Sequence, residues 1–460
     1  MSKSKRTDPY TAIVVGSGCS VGLGVPALAG FLDTVMDKLA KTSAYPKAKD
    51  DLAAIQSFIT RIKGAAAYVN VDLLNVEELY GVADMDEDLW KAAGCPPPEK
   101  WYGFKPLISD LDPMRVKKAF NRAIYYLASR AGEEFLTQRD RFPGDLDKLK
   151  EVKRESATET PLHRNSGTRW TNLLAYLCLA SFQDKNDAFP LFIQFNWDLA
   201  LDRALYLWSC RRMSANPSWA AASWLKYSRQ CPNEKPWLPW YGTRRTGLLN
   251  YRDWPRLARP HGGINWINNE PPKSGLGPDA KKPEKPPPLC ADRLDELCFK
   301  LYPDKPDDHV WIDMRAVHHI QSHETHSGCQ RGKFMEIVPP TWRKQATKPV
   351  YEVQWGYISQ GLQSIRRIIF IGYSLPKTDL YFRHFLALSL ADNPHLPKVY
   401  VLNPGIQELG GVQDNYLDLF APLAREGRLY GIQGRFGDPA LFDLHRAIAI
   451  AKPITHRKSG

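Results

Sequence analysis

Apolar positions fall into two kinds of pattern along the chain. Runs 11–15, 190–195 and 367–371 are nearly continuous in β-branched, aliphatic and aromatic residues. Such runs suit strands covered on both faces, as in a parallel sheet. Two further strands are expected, at 399–402 and, last, at 429–432. Between them the spacing changes to three and four. Leu28, Phe31, Leu32, Val35, Met36 and Leu39 mark a helix over 27–41, and 51–68 reads as an amphipathic helix. Another helix starts near Asn75, with Glu77 and Glu78 in its first turn, where the helix dipole favours acids. Val116, Phe120, Ile124, Leu127 and Ala131 share one face of a helical pattern over 114–136. Further helices are expected at 169–183, about 351–365 and 378–391. Buried strands alternating with helices predict an α/β fold on a parallel sheet.

The same patterns divide the chain. Segments 1–44 and 166–460 form the expected core, and 45–165 a mainly helical insertion. Irregular insertions are expected near 206–256, which is rich in Trp, Pro and Arg, and near 268–336, which includes the Pro/Lys-rich loop 270–289. Residues 259–266 read as a short turn. The sheet should be complete by about residue 435, leaving little chain for a separate sensor domain.

Composition narrows the classes. At 460 residues the chain can bury a large core. No apolar run approaches a membrane span, and the basic N-terminus lacks the apolar stretch of a secretory signal. Eight scattered cysteines, with no Cys-x-x-Cys, suit a reducing cytoplasm. With 62 Lys and Arg against 50 Asp and Glu, the net charge is +12, which favours acidic partners. Arginine pairs among the aromatics of 208–256 have the make-up of a base-stacking surface. A solvated, partly buried insertion is the plainer reading. His318 to Cys329 is dense in potential metal ligands but lacks His-Glu-x-x-His, and it reads as a polar loop.

Chemistry concentrates where the apolar runs end. Gly16-Ser17-Gly18-Cys19-Ser20 follows the first strand and precedes the first helix, with Val25-Pro26 behind it. Gly16 and Gly18 would let backbone approach a dinucleotide pyrophosphate, with a helix N-terminus beyond. Asn196 and Asp198 end the second run, Gly372 and Ser374 the third, and Asn403 the fourth. In an open α/β sheet, ligands bind at that edge.

The stretch from Gly16 to Pro26 resembles the Gly-Ala-Gly-x-Ser-x-x-x-Gly-Ile-Pro signature of the sirtuin family, at identical spacing. Phe195-Asn196-Trp197-Asp198 resembles the family's Thr-Gln/Asn-Asn-x-Asp element, and Pro260-His261-Gly262 its His-Gly element. Gly372-Tyr-Ser374-Leu-Pro376, with Asp379 and Arg383, is similar to its Gly-x-Ser landmark, in the version carried by bacterial sirtuin-like NAD hydrolases of phage defence. Pro339-Pro-Thr341-Trp342 and Asn75-Val-Glu-Glu78 also recur in that group. The resemblance implies a Rossmann-like, sirtuin-type sheet with NAD as substrate, bound by Gly16, Ser17, Gly18, Ser20, Pro26, Asp198, Gly372, Ser374 and Asn403. Deacetylating members carry zinc on two Cys-x-x-Cys pairs. This chain has neither pair, so no zinc is expected and deacetylation is put in doubt.

Cleavage of a nicotinamide–ribose bond passes through an oxocarbenium-like state and needs one nucleophile held at C1′. Imidazole, with a reference pKa of about 6.5, can take a proton there at neutral pH. His261 is the candidate base. Asn196 offers an amide to a ribose hydroxyl or the water. The expected activity is hydrolysis of NAD to nicotinamide and ADP-ribose, in an antiphage role that stops the infected cell. A toxic hydrolase needs restraint, by self-assembly or by a separately encoded ATPase or nucleic-acid-guided partner. The alternatives are a non-catalytic NAD- or ADP-ribose-sensing or nucleic-acid-docking subunit, and a deacylase or ADP-ribosyltransferase.

Overall fold

The computed structural model describes residues 11–26, 28–41, 48–66, 75–92, 113–129, 131, 164–183, 189–205, 256–267, 298–301, 310–313, 335–337, 349–377, 379–408, 411–438 and 441–455. The continuous apolar runs become buried strands, β1 (Thr11–Val15), β2 (Leu191–Gln194) and, further along, β8 (Arg367–Ile371). With β3 (Arg256–Ala258), β9 (Lys398–Leu402), β10 (Leu429–Ile432) and β11 (Lys452–Pro453), they form a seven-stranded sheet. Its order is β3-β2-β1-β8-β9-β10-β11. All pairs are parallel except β10–β11. The fold is thus α/β on a mixed, mostly parallel sheet. The expectation that the sheet closes with 429–432 is corrected, because β11 adds an antiparallel edge. A two-residue strand carries no periodicity, and only its pairing to Tyr430 and Gly431 defines it.

Register sets the working edge. Val15 lies opposite Gln194 on one side and Ile371 on the other, and Ile371 opposite Leu402. The strands therefore end flush, and the residues that follow emerge along one edge. Ala258 pairs with Ile193, so His261 and Asn196 each lie three residues beyond paired positions. Chain order reverses at β1, with β2 and β3 on one side and β8 to β10 on the other.

Helices α1 (Leu28–Lys41), α2 (Ala48–Ala66), α3 (Val76–Ala92) and α4 (Pro113–Ala128) follow β1 and pack on one another. Asn75 starts α3, its Oδ1 accepting from the N–H groups of Glu77 (3.0 Å) and Glu78 (3.4 Å). Val116, Phe120, Ile124 and Leu127 of α4 are buried in a cluster continuous with the strands. Helix α5 (Arg164–Ala180) precedes β2, while α6 (Pro349–Leu362) and α7 (Leu380–Ala391) flank β8. Helices α8 (Val412–Leu419) and α9 (Ala421–Arg425) join β9 to β10, and α10 (Leu444–Ala449) leads to β11.

Two expectations change. Residues 259–266 are not a turn alone: the turn ends at His261, and β4 (Gly262–Ile267) begins. The stretch 268–336, read as irregular, holds β5 (Cys298–Leu301), β6 (Val310–Asp313) and the start of β7 (Met335–Ile337). These join β4 in a four-stranded antiparallel sheet of order β5-β6-β4-β7. Cys298-Phe-Lys-Leu301, Val310-Trp-Ile-Asp313 and Met335-Glu-Ile337 each carry a charged residue, so no continuous apolar run marks them. Segment 206–255 and the Pro/Lys-rich loop lie outside the described residues. Among the described residues no helix is long and apolar enough to cross a membrane.

Candidate functional site

The glycine turn after β1 does not run straight into a helix. It forms two short 3-10 turns, Ser17–Cys19 and Val21–Leu23, and α1 starts only at Leu28. Gly16 and Gly18 donate their N–H groups to Ile371 O and Gly372 O, both at 2.9 Å. A Cβ on Gly16 would stand 2.5 Å from Tyr373 Cα, and one on Gly18 2.8 Å from Gly372 O. Gly372 itself has φ +59, and a Cβ there would meet Cys19 N at 2.6 Å. These glycines let the loops after β1 and β8 touch each other. The close approach expected of Gly16 and Gly18 is made here to the loop after β8, and their own N–H groups are taken by Ile371 O and Gly372 O.

Ser20, fully buried, is the hub of the next layer. Its Oγ donates to Asp198 Oδ2 (2.6 Å), accepts from Asn196 Nδ2 (3.0 Å) and lies 2.9 Å from Tyr176 OH. A hydroxyl has one proton, so with Asp198 ionised Tyr176 is the donor. Asp198 Oδ1 accepts from Ala200 N at 2.9 Å. Burial nevertheless raises the Asp198 pKa above its ordinary value, against the lowering pull of these donors and of Arg259. The same burial pushes the Cys19 thiol and the Tyr176 phenol well up. Asn196 Nδ2 also donates to Gly16 O at 2.9 Å. Both donor hydrogens of the amide are therefore used, while its buried Oδ1 makes no hydrogen bond among the described residues.

Arg259 ties this loop to the turn that carries His261. Its fully buried guanidinium donates to Asn196 O (3.1 Å), Asp198 O (2.6 Å) and Gly262 O (3.4 Å), and pairs with buried Asp202. His261, 1% exposed, sets its ring edge-on to Phe195 with centroids 4.7 Å apart. Gly262 has φ +68, which suits glycine after the histidine.

The loop after β8 supplies the opposite wall. Tyr373 stacks on Phe195 (4.9 Å, 18°), and its OH donates to Asp379 Oδ2 at 2.6 Å. Asp379 is buried and caps α7 through Phe382 N. Burial, then the Asp379 and Glu77 charges, hold the Tyr373 phenol well above its usual pKa. Leu375, buried, sits at φ +49 just before Pro376, a left-handed conformation that costs a non-glycine residue about 1–2 kcal/mol.

Together these segments form a small, partly open cleft. Ser17, Ser20, Pro26, Asn196, Asp198, His261 and Ser374 all line it. Gly16, Gly18 and Gly372 stand behind it as contact points between loops. Asn403 does not reach it. Its Oδ1 accepts from Gly405 N at 2.9 Å and holds the turn after β9. Reasoning from the motifs left Arg259, Tyr176 and Phe195 without roles, although Arg259 and Phe195 stand inside or beside the quoted stretches. Tyr176, on α5, had no local signal at all. The helical insertion also contributes, through Glu77 and Ala128. Among the described residues no group of three or more His, Cys, Asp or Glu is placed to hold a metal ion, and the cluster from His318 to Cys329 lies outside them. Comparison with family models and with curated proteins found no match to this chain.

Proposed function

We propose that the protein hydrolyses NAD at the nicotinamide–ribose bond, giving nicotinamide and ADP-ribose. The observation that carries this reading is the meeting of Asn196 and His261 in one cleft, with both hydrogens of the Asn196 amide bound to the protein and its oxygen left as the group that makes no hydrogen bond among the described residues. The strand order supports it. Numbering only the parallel strands, β3-β2-β1-β8-β9-β10 is 3-2-1-4-5-6, the order of doubly wound dinucleotide-binding folds. The cleft opens where that order reverses. The glycine turn, the His-Gly element and the Gly-x-Ser element that resemble the sirtuin family all meet there.

In this reading the C1′–N bond breaks with its electron pair leaving on nicotinamide, which departs neutral. A water oxygen bonds to C1′. Asn196 Oδ1 accepts one hydrogen of that water, and His261 takes the proton lost in the attack, directly or through a ribose hydroxyl. Phe195 and Tyr373 form an apolar wall that limits stray water. The cellular role, NAD depletion in phage defence under restraint by self-assembly or a partner, belongs to the same proposal.

The test is nicotinamide and ADP-ribose release by the purified wild type beside His261→Ala and Asn196→Ala. Loss in both variants, with unchanged folding, supports hydrolysis. Equal turnover in all three, or none in the wild type under phage challenge, overturns it and leaves a binding role.

A further inference from the structure

Helix α7 is apolar on every side, the pattern of a helix that is covered all round. Two of its sides are covered. Phe382, Leu386 and Ser389 are buried, with Phe382 edge-on to Phe195 of the cleft at 4.6 Å. Tyr381 and Phe385 meet Trp355 of α6, with ring centroids 4.9 and 4.7 Å apart. The third side is open. Leu380, His384, Ala387, Leu388 and Ala391 are all exposed, and at about 100° per residue they share one stripe about 100° wide. Leu388 is 73% exposed and Leu380 49%. With Leu396, in the loop after the helix, they are three of the six large apolar residues exposed among the described residues, so apolar exposure concentrates here.

We infer that two copies of the chain pair through this stripe, with their α7 helices antiparallel across a twofold axis. The order of side chains fits a second copy. Leu380, His384, Ala387 and Ala391 are spaced four, three and four apart, the seam of a coiled coil. Reversing one helix sets Leu380 against the partner's Ala391 and His384 against the partner's Ala387. Large then meets small throughout, so one surface complements itself. His384 is the one polar member, and a single polar seam position fixes register. The end charges agree. Lys377, ahead of the helix, and Asp392, at its C-cap, are exposed and make no ion pair among the described residues. Each opposes the dipole of its own helix. In the antiparallel pair Lys377 meets the partner's Asp392 and the negative end of the partner helix, whereas a parallel pair sets like charges together. Pairing also steadies a helix whose inner side backs the cleft, through Phe382 on Phe195 and Asp379 on Tyr373. That regulatory sense rests on the hydrolase reading and gives its self-assembly a surface.

The experiment is sedimentation velocity of the purified full chain, without NAD, from about 1 to 100 µM. Two short helices make a small interface, so the wild type is expected to pass from monomer to dimer with a midpoint of about 10 µM. Ala387→Glu and Leu388→Gln should each weaken the dimer by about tenfold or more, with circular dichroism unchanged. Either variant alone decides the point if the other fails to fold. Lys377→Glu and Asp392→Lys should each weaken it about fivefold, and the double substitution Lys377→Glu/Asp392→Lys should restore it. A wild type that stays monomeric over the whole range overturns the pairing and leaves the face to another occupant. So does a dimer that Ala387→Glu and Leu388→Gln leave intact, because it is made elsewhere. A double substitution as weak as either single one overturns the antiparallel arrangement. No turnover is read, so failure here leaves the hydrolase reading standing, and failure of hydrolysis leaves the dimer.

Discussion

Asn196 Nδ2 donates to Gly16 O across 2.9 Å, and so binds the loop after β2 to the loop after β1. The second hydrogen goes to Ser20 Oγ. An asparagine that spends both donors on the protein can offer only its oxygen to a ligand. Asn196→Asp keeps the shape but supplies no donors, and sets a carboxylate against Gly16 O. NAD hydrolysis is expected to fall by about a hundredfold or more, with loss of about 1–3 kcal/mol of stability. Parallel turnover and urea-melt measurements check this. Turnover of the Asn196→Asp protein close to wild type would mean that the amide does not orient the nucleophile.

Glycine substitutions should separate by contact. Gly16→Ala drives a Cβ into Tyr373 Cα, and Gly372→Ala adds a left-handed φ to a clash with Cys19 N. Each should destabilise by about 2 kcal/mol or more. Gly356→Ala, in α6 with nothing within 4 Å, should instead stabilise by about 0.5–1 kcal/mol. Thermal unfolding of the three proteins reads the contrast directly.

Arg259 is the cation of a fully buried pair and holds three carbonyls besides. Asp202→Asn leaves that guanidinium without its counter-charge and should cost about 3–5 kcal/mol. Arg259→Lys keeps the charge but cannot span Asn196 O, Asp198 O and Gly262 O at once. In the folded fraction of Arg259→Lys, kcat should fall more than KM rises, because Asn196 and His261 lose their common brace. A rise in KM alone would place Arg259 outside the positioning of these groups.

Asp198 gives a pH dependence. Its folded pKa is raised, chiefly by burial, above its unfolded value of about 4. The folded state then binds more protons than the unfolded state between the two values, so stability falls as pH rises through that window. Asp198→Asn removes this dependence, and Ser20 can turn its proton to Tyr176 to accommodate the new amide. The variant should be at least as stable as wild type at pH 7, with its advantage vanishing toward pH 4. Urea melts across pH 4–7 give the answer, and an Asp198→Asn protein that is uniformly weaker at every pH would mean the carboxylate geometry outweighs its desolvation.

The strands that carry the sheet are legible from local pattern alone. Runs 11–15, 191–194 and 367–371 are mostly apolar on both faces because the strands are buried along almost their whole length, and that demand is written residue by residue. The same pattern marks the edge where chemistry collects, since Ser20, Asn196, His261 and Ser374 stand just beyond strand ends and all line the cleft. Packing in three dimensions supplies what no local pattern encodes. Strands β5, β6 and β11 exist by pairing, with a charged residue in each and no continuous apolar run to mark them. Gly16, Gly18 and Gly372 are legible as points of close approach, but only the packed loops reveal that they approach one another. The single proton of Ser20, shared among residues from distant segments, settles that Asn196 donates to Ser20 through its amide nitrogen. Glu77 and Tyr176 reach the site from helices far away in sequence, because burying the faces of α3 and α5 turns these residues toward it.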